Sequence, residues 1–183
     1  IWDNQPAPNT GGDFNIVKAG GTPFDADWEM KSYPIGNGYM GANLFGRTDT
    51  ERIQITEKTL CNEGLYGLGG LTNFAEIYLD INHKNPQNYS RTLNLNDAIF
   101  NVKYTFEGVE YYRECFMSYP DNVMLVKLSS NKKGKISFTL RPEIPYSGDS
   151  IADLSRTGKV VANNDLITLS GMVNTFSTNY NAQ

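Results

Sequence analysis

Apolar and polar positions alternate with a period of two through much of this chain. The run Ile99-Phe100-Asn101-Val102-Lys103-Tyr104-Thr105-Phe106 puts Val102, Tyr104 and Phe106 on one face, and Glu107-Gly108 then turns the chain into a second run over 109–117. That pair predicts a β-hairpin. Residues 123–128 and 136–140 predict a second hairpin around Asn131-Lys132-Lys133-Gly134, with Ile136, Phe138 and Leu140 sharing a face. Asn163-Asn164-Asp165 separates runs at 159–162 and 166–170 in the same manner. Tyr104, Phe106, Phe116, Val126, Phe138 and Leu140 are expected in the core. No long amphipathic helix stands out, although residues 95–98 suggest one short turn capped by Asn94 or Asn96.

Residues 1–21, rich in Pro, Asn and Gly from Asn4 onward, read as an irregular lead-in, with Phe14, Ile16 and Val17 able to start a strand. Residues 143–157, with Pro145 and Ser147-Gly148-Asp149, read as a loop. Many short strands joined by polar turns predict an all-β fold, an antiparallel sandwich or barrel, in one domain over 1–183.

The length of 183 residues suits one core, and 12% aromatic residues supply large apolar side chains to fill it. A net charge of −4, with Lys132-Lys133 and Lys135 forming only a turn, disfavours nucleic acid or an anionic membrane surface as partner. No apolar stretch approaches the ~18–20 residues of a membrane span. The chain starts at Ile1 without a basic segment followed by an apolar one, so the expectation is that any signal peptide has been removed or was never included. Cys61 and Cys115 define no disulfide framework, and Cys115, among alternating residues, is expected as a buried free thiol. The lone His83, in INHKNP, reads as a solvated turn histidine with no second His to share a metal. No cofactor and no metal are expected.

Four glycines, Gly36, Gly38, Gly41 and Gly46, thread the run YPIGNGYMGANLFGRTDTER at 33–52. At Gly36-Asn37-Gly38 the backbone can take positive φ or admit a close neighbour. Residues 40–45 read as a short strand, and Arg47-Thr48-Asp49-Thr50 as the turn into 51–55. It is no nucleotide loop, because no Lys-Ser/Thr follows the glycines and no helix pattern opens behind them.

Laid in order, Trp28, PIGNGYMGANLFG at 34–46, ERIQITEKTL at 51–60, NFAEIYLDI at 73–81, YSRTLNLNDAIFNVKY at 89–104 and YYRECFMSYPDNVMLVKL at 111–128 resemble the N-terminal β-domain of glycoside hydrolase family 95, the inverting α-L-fucosidases. The resemblance covers 27–140 and, more loosely, 166–183. This chain departs from the family pattern at Tyr33 before Pro34, at Tyr39 where Arg is usual, at Cys61 where Trp is common, and at Ala75-Glu76 in place of Gly-Asp.

The resemblance implies a large two-sheet sandwich, here an incomplete portion of it, docked in the parent enzyme on a helical (α/α)₆ barrel of the same polypeptide. It also implies a parent glycosidase that releases terminal α-L-fucose from fucosylated glycans. Inverting chemistry needs two carboxyl groups ~6.5–9.5 Å apart with room for a water. In the family the acid is a Glu and the water is activated by an Asn with an Asp, all on the barrel, so no catalytic residue is expected in this chain. Sandwich loops at the rim of the pocket point instead to substrate contacts from Asn37, Tyr39, Glu57, Asn62 and Glu63, which offer hydrogen-bonding and stacking groups. The family's glycan-scavenging role implies a periplasmic or extracellular location. Unpaired edge strands would favour a homodimer or a non-covalently retained remainder.

Two other functional readings stand beside this one: a freestanding carbohydrate-binding sandwich, and the N-terminal domain of another (α/α)₆-barrel glycosidase or phosphorylase. An adhesion domain has no feature of its own here. Arg113 and Glu114 face opposite ways on one strand and each needs its own partner, expected across the sheet. Tyr111, Tyr112, Phe116 and Tyr119 read as core and turn residues.

Overall fold

The period-two pattern is realised as two antiparallel five-stranded sheets packed face to face. In a computed structural model that describes residues 1–9, 26–62, 70–144 and 157–172, the strands in chain order begin with β1 (Trp2–Asp3), β2 (Tyr33–Gly36), β3 (Met40–Leu44), β4 (Thr50–Asn62), β5 (Gly70–Asp80) and β6 (Gln87–Asn94). They continue with β7 (Ile99–Phe106), β8 (Val109–Ser118), β9 (Val123–Ser130), β10 (Thr139–Glu143), β11 (Thr157–Asn163) and β12 (Leu166–Met172). One short helix, α1 (Ala26–Lys31), lies between β1 and β2. The first sheet runs β1-β6-β7-β8-β9 and the second β10-β5-β4-β3-β2, while β11 and β12 pair as a hairpin.

Local chemistry explains the sharpest turns. Glu107 and Gly108 have φ of 49° and 70°, the two positive values a type I′ hairpin demands between β7 and β8. Asn94 caps residues 95–98, accepting from the Asn96 amide at 3.1 Å, and Asp97 accepts from the Ile99 amide at 3.2 Å.

The core forms where the sheets face each other. Ile35, Ala42, Leu44, Ile53 and Ile55 of the second sheet meet Leu93, Phe100, Val102, Tyr104, Tyr111 and Cys115 of the first. Each large side chain buried there stabilises the fold by about 1.5–3 kcal/mol. Cys115 is a free, fully buried thiol, and burial pushes its pKa up to about 12.

Charge is buried with the apolar groups. Glu51 of β4 and Arg113 of β8 reach across the sandwich and pair at 2.7 Å. Glu51 Oε1 also accepts from the Phe45 and Gly46 amides at 3.1 and 2.9 Å, and Arg113 donates to the Arg47 carbonyl at 3.0 Å. Arg91 of β6 donates to the Phe45 and Lys31 carbonyls, both at 2.6 Å, and pairs with Asp3 at 2.9 Å. The β3–β4 connection thus runs through the interior because side chains satisfy its backbone groups. The other face of the second sheet carries its own buried pair, Arg52 bidentate on Glu76 at 2.9 and 2.7 Å, with the Tyr78 hydroxyl donating to Glu76 at 2.6 Å. The partner of Arg113 therefore comes from the facing sheet, whereas half-buried Glu114 does meet a neighbour in its own sheet, Lys127 at 3.9 Å.

The expected hairpin between 123–128 and 136–140 does not form. β10 pairs with β5 instead, so the segment after β9 crosses from one sheet to the other. Ile136, Phe138 and Leu140 consequently remain 43%, 44% and 39% exposed, contrary to the core placement of the last two. Phe106 and Val126 are half-buried against the core and Tyr104 is fully enclosed, whereas Phe116, paired with exposed Leu125, sits half-buried on the outward face of β8 with Tyr112 and Glu114, contrary to its expected core placement. Tyr111 is a core residue, Tyr119 lies in the exposed turn after β8, and Tyr112 faces outward rather than into the core.

His83 is no solvated turn residue. Its ring stacks on Phe106 at 4.4 Å, lies 4.4 Å from that of Tyr111, and Nδ1 shares a 2.9 Å hydrogen bond with the Tyr104 hydroxyl. The backbone places it there, since the His83 amide donates to the Thr48 carbonyl and the Thr48 hydroxyl donates to the His83 carbonyl. The expected strand start at Phe14, Ile16 and Val17, and most of the loop at 143–157, fall outside the described residues.

Candidate functional site

The glycine run builds one end of the second sheet. β2 and β3 pair from Tyr33↔Leu44 to Gly36↔Gly41, and the turn between them closes with Gly38 at φ 84° and open space where a Cβ would stand. Close backbone approach explains Gly36, whose added Cβ would lie 3.2 Å from the Met40 carbonyl oxygen.

Asn37 is the hinge pin of this corner. Its Oδ1 accepts from the Tyr39 and Met40 amides at 3.0 and 2.9 Å, an Asx turn that shapes the loop. Its Nδ2 donates to the Ser118 carbonyl at 2.9 Å and to Asn122 Oδ1 at 3.1 Å, across to the β8–β9 turn of the other sheet. The side chain therefore ties the two sheets together at this end, and its hydrogen-bonding groups are engaged within the protein.

Tyr39 and Glu57 meet beside it because Met40 pairs with Glu57 in the β3–β4 ladder. The Lys58 amide donates to the Tyr39 carbonyl at 3.0 Å, and Lys58 Nζ lies 5.0 Å from the centre of the Tyr39 ring. Glu57 accepts from the Thr59 amide at 3.0 Å and from the Thr59 hydroxyl, and this last bond chiefly holds its carboxyl below the usual carboxylate range. Oε1 of Glu57 is shielded from solvent and takes no hydrogen bond within the described residues.

Such a carboxylate is ionised at neutral pH, and its Oε2 already accepts from the Thr59 hydroxyl and amide. A general acid needs the opposite shift. An exposed aromatic ring, a cation beside it and an ionised acceptor suit hydrogen bonding and stacking on a polyol, not proton donation. The structure thus gathers Asn37, Tyr39 and Glu57 at one corner, whereas Glu63 and the side chain of Asn62 lie outside the described residues. Lys58 and Thr59 were not singled out from sequence. Their signal was present in the strand pairing, which sets Lys58 beside Tyr39, but only once the β3–β4 register is known. Among the described residues no group of three or more His, Cys, Asp or Glu is placed to hold a metal ion.

Comparison with known proteins agrees with the architecture. The chain is 28% identical to "Alpha-L-fucosidase 2" of Arabidopsis thaliana over 145 residues, covering 57% of this chain and 17% of the relative. It is 27% identical to "Probable alpha-fucosidase A" of Aspergillus niger over 173 residues, covering 88% of this chain and 19% of the relative. The chain therefore spans less than a fifth of the length of either relative. The family model described as "Glycosyl hydrolase family 65, N-terminal domain" matches residues 1–64 and 66–182, nearly the whole chain. A two-sheet antiparallel sandwich matched almost end to end by that model belongs to the glycosyl hydrolase family 65 N-terminal domain family.

Proposed function

We propose that this chain is the N-terminal sandwich of a family 95-like glycoside hydrolase that releases terminal α-L-fucose from fucosylated glycans with inversion. Membership of a glycosyl hydrolase N-terminal domain family, together with two relatives named as fucosidases, carries the reading. The ordered motifs from Pro34 to Leu128 supply the finer assignment to family 95. Within that enzyme the role of this domain is structural and pocket-completing: it docks on a helical catalytic domain and presents the Asn37–Glu57 corner to the sugar. The enzyme acts on exported glycans, in the periplasm or outside the cell.

The test is anomer-resolved NMR of the product released from a fucosylated oligosaccharide by the longer protein that contains this chain. Fresh β-L-fucose appearing before mutarotation is the expected result. Initial release of α-L-fucose, or no fucose at all, contradicts the proposal.

A further inference from the structure

The outward face of the first sheet contains a polar groove that the Asn37–Glu57 corner does not use. Pairing across β6, β7, β8 and β9 sets Thr92, Asn101, Glu114 and Lys127 side by side in one rung. The adjacent rung on the same face sets Ser90, Lys103, Tyr112 and Ser129 side by side. Short side chains at Ser90, Thr92, Asn101 and Ser129 leave a depression, and the longer Lys103, Tyr112, Glu114 and Lys127 wall it. The resulting hollow is about 290 Å³, at the lower end of small-molecule sites.

Hydrogen-bonding capacity in the hollow is unspent. Among the described residues the side chains of Ser90, Thr92, Asn101 and Ser129 make no hydrogen bond, so three hydroxyls and one carboxamide line the space with donors and acceptors not engaged within the protein. The charges at its walls are matched. Lys127 lies 3.9 Å from Glu114 and Lys103 3.9 Å from Glu110, which leaves no net charge to recruit an ion or a phosphate chain. Tyr112 offers one ring, with Lys103 Nζ 5.3 Å from its centre and its hydroxyl donating to Glu110 at 2.8 Å. One aromatic face among many neutral hydrogen-bonding groups is poorly suited to an apolar peptide and well suited to a ring that carries hydroxyls on its edge and C–H groups on its face.

We infer that this two-rung groove is a binding site for a neutral oligosaccharide. The class of ligand rests on the glycosidase reading above. The position rests on the ladder register and the hollow. Strands about 4.8 Å apart set the pitch of the donors and acceptors, so a glycan lying across the strands meets a hydrogen-bonding group at each step. Such a surface holds a polymeric or branched substrate near the enzyme without taking part in bond cleavage, and raises the local concentration of its chain ends.

The test is a ¹⁵N–¹H NMR titration of the 183-residue chain with fucosyllactose, and separately with lactose. Saturable shifts centred on the amides of Thr92, Asn101, Tyr112, Glu114 and Lys127 with either sugar are expected. Asn101→Ala and Tyr112→Ala, both on the exposed face, should each raise the dissociation constant about tenfold, equivalent to about 1.4 kcal/mol, while the remaining spectrum keeps its dispersion. Lactose binding without fucosyllactose binding supports the groove and counts against the fucoside reading, which separates the two. No shift at millimolar sugar, shifts confined to residues outside the two rungs, or shifts of these amides on dilution without sugar, which would mean a second copy covers the face, overturns the inference.

Discussion

Gly46 has no room for a side chain. Its φ is 72°, and an added Cβ would lie 2.7 Å from the Tyr89 hydroxyl oxygen, 2.9 Å from Arg91 Cδ and 3.3 Å from Phe100 Cζ. The Tyr89 hydroxyl donates to the Gly46 carbonyl, so the clash falls on a buried, hydrogen-bonded group. Gly46→Ala is predicted to cost about 2–4 kcal/mol, from positive-φ strain and overpacking together. Urea denaturation checks it, and a midpoint within error of the wild type would contradict the packing described. His83 gives a pH prediction. Burial draws its pKa below 6.5, against Glu107, which raises it, and with Arg113, which lowers it further. The unfolded chain then binds the proton more readily, so stability is fully present above about pH 6.5 and falls as pH drops towards the folded-state pKa. His83→Phe should flatten that slope in denaturation curves taken on either side of pH 6.5; an unchanged slope would mean another group titrates. Burial raises the pKa of Asp3, but hydrogen bonds from Arg91 and the Gln5 amide outweigh it, and the Arg141 hydrogen bond lowers Asp80; both contributions are present above the usual 3.8 and are lost as pH falls through the folded-state pKa values. The glycine run was legible in the sequence as a turn and strand, but the need for glycine at 46 was not, because Tyr89, Arg91 and Phe100 arrive from another sheet.

At the scale of elements, the cross-sandwich pair Glu51–Arg113 joins β4 to β8 and fixes the path of the β3–β4 connection. Arg113→Met leaves a buried carboxylate without its counter-charge and should cost about 3–5 kcal/mol. Adding Glu51→Gln removes that charge yet keeps an acceptor for the Phe45 and Gly46 amides, so the double variant should recover a substantial part of the loss. Calorimetric melting of the three proteins tests this, and strictly additive losses would contradict a direct coupling. The hairpins at Glu107-Gly108 and Asn163-Asn164-Asp165 were legible because each is encoded by its own turn and flanking alternation. The segment 131–140 carries the same local signals and still departs to the opposite sheet. Alternation says that Phe138 and Leu140 share a face; it does not say which strand lies alongside. The partner, β5, is about sixty positions away at its register pairs, as in Thr139↔Asp80, and nothing near residue 139 names it. Asn37, Tyr39 and Glu57 come together for a related reason: the turn between β2 and β3 carries the first two, and β4, the next strand of the same local meander, carries the third.

For the whole molecule, the described charges on the inner faces are committed to holding two sheets together, while the Asn37–Glu57 corner and the two-rung groove each present polar groups on the outside. That division fits a domain that positions substrate for chemistry carried out by another part of a longer enzyme. The most direct measurement is turnover of an activated aryl α-L-fucoside by the purified 183-residue chain and, in parallel, by the longer protein that contains it. The account predicts hydrolysis by the longer protein and none above buffer by the chain alone, since losing a placed acid or base removes ~10²–10⁴-fold in rate and losing the assembled pocket removes orientation as well. Turnover by the chain alone that survives repurification and vanishes in Glu57→Gln would contradict it and place the catalysis in this domain.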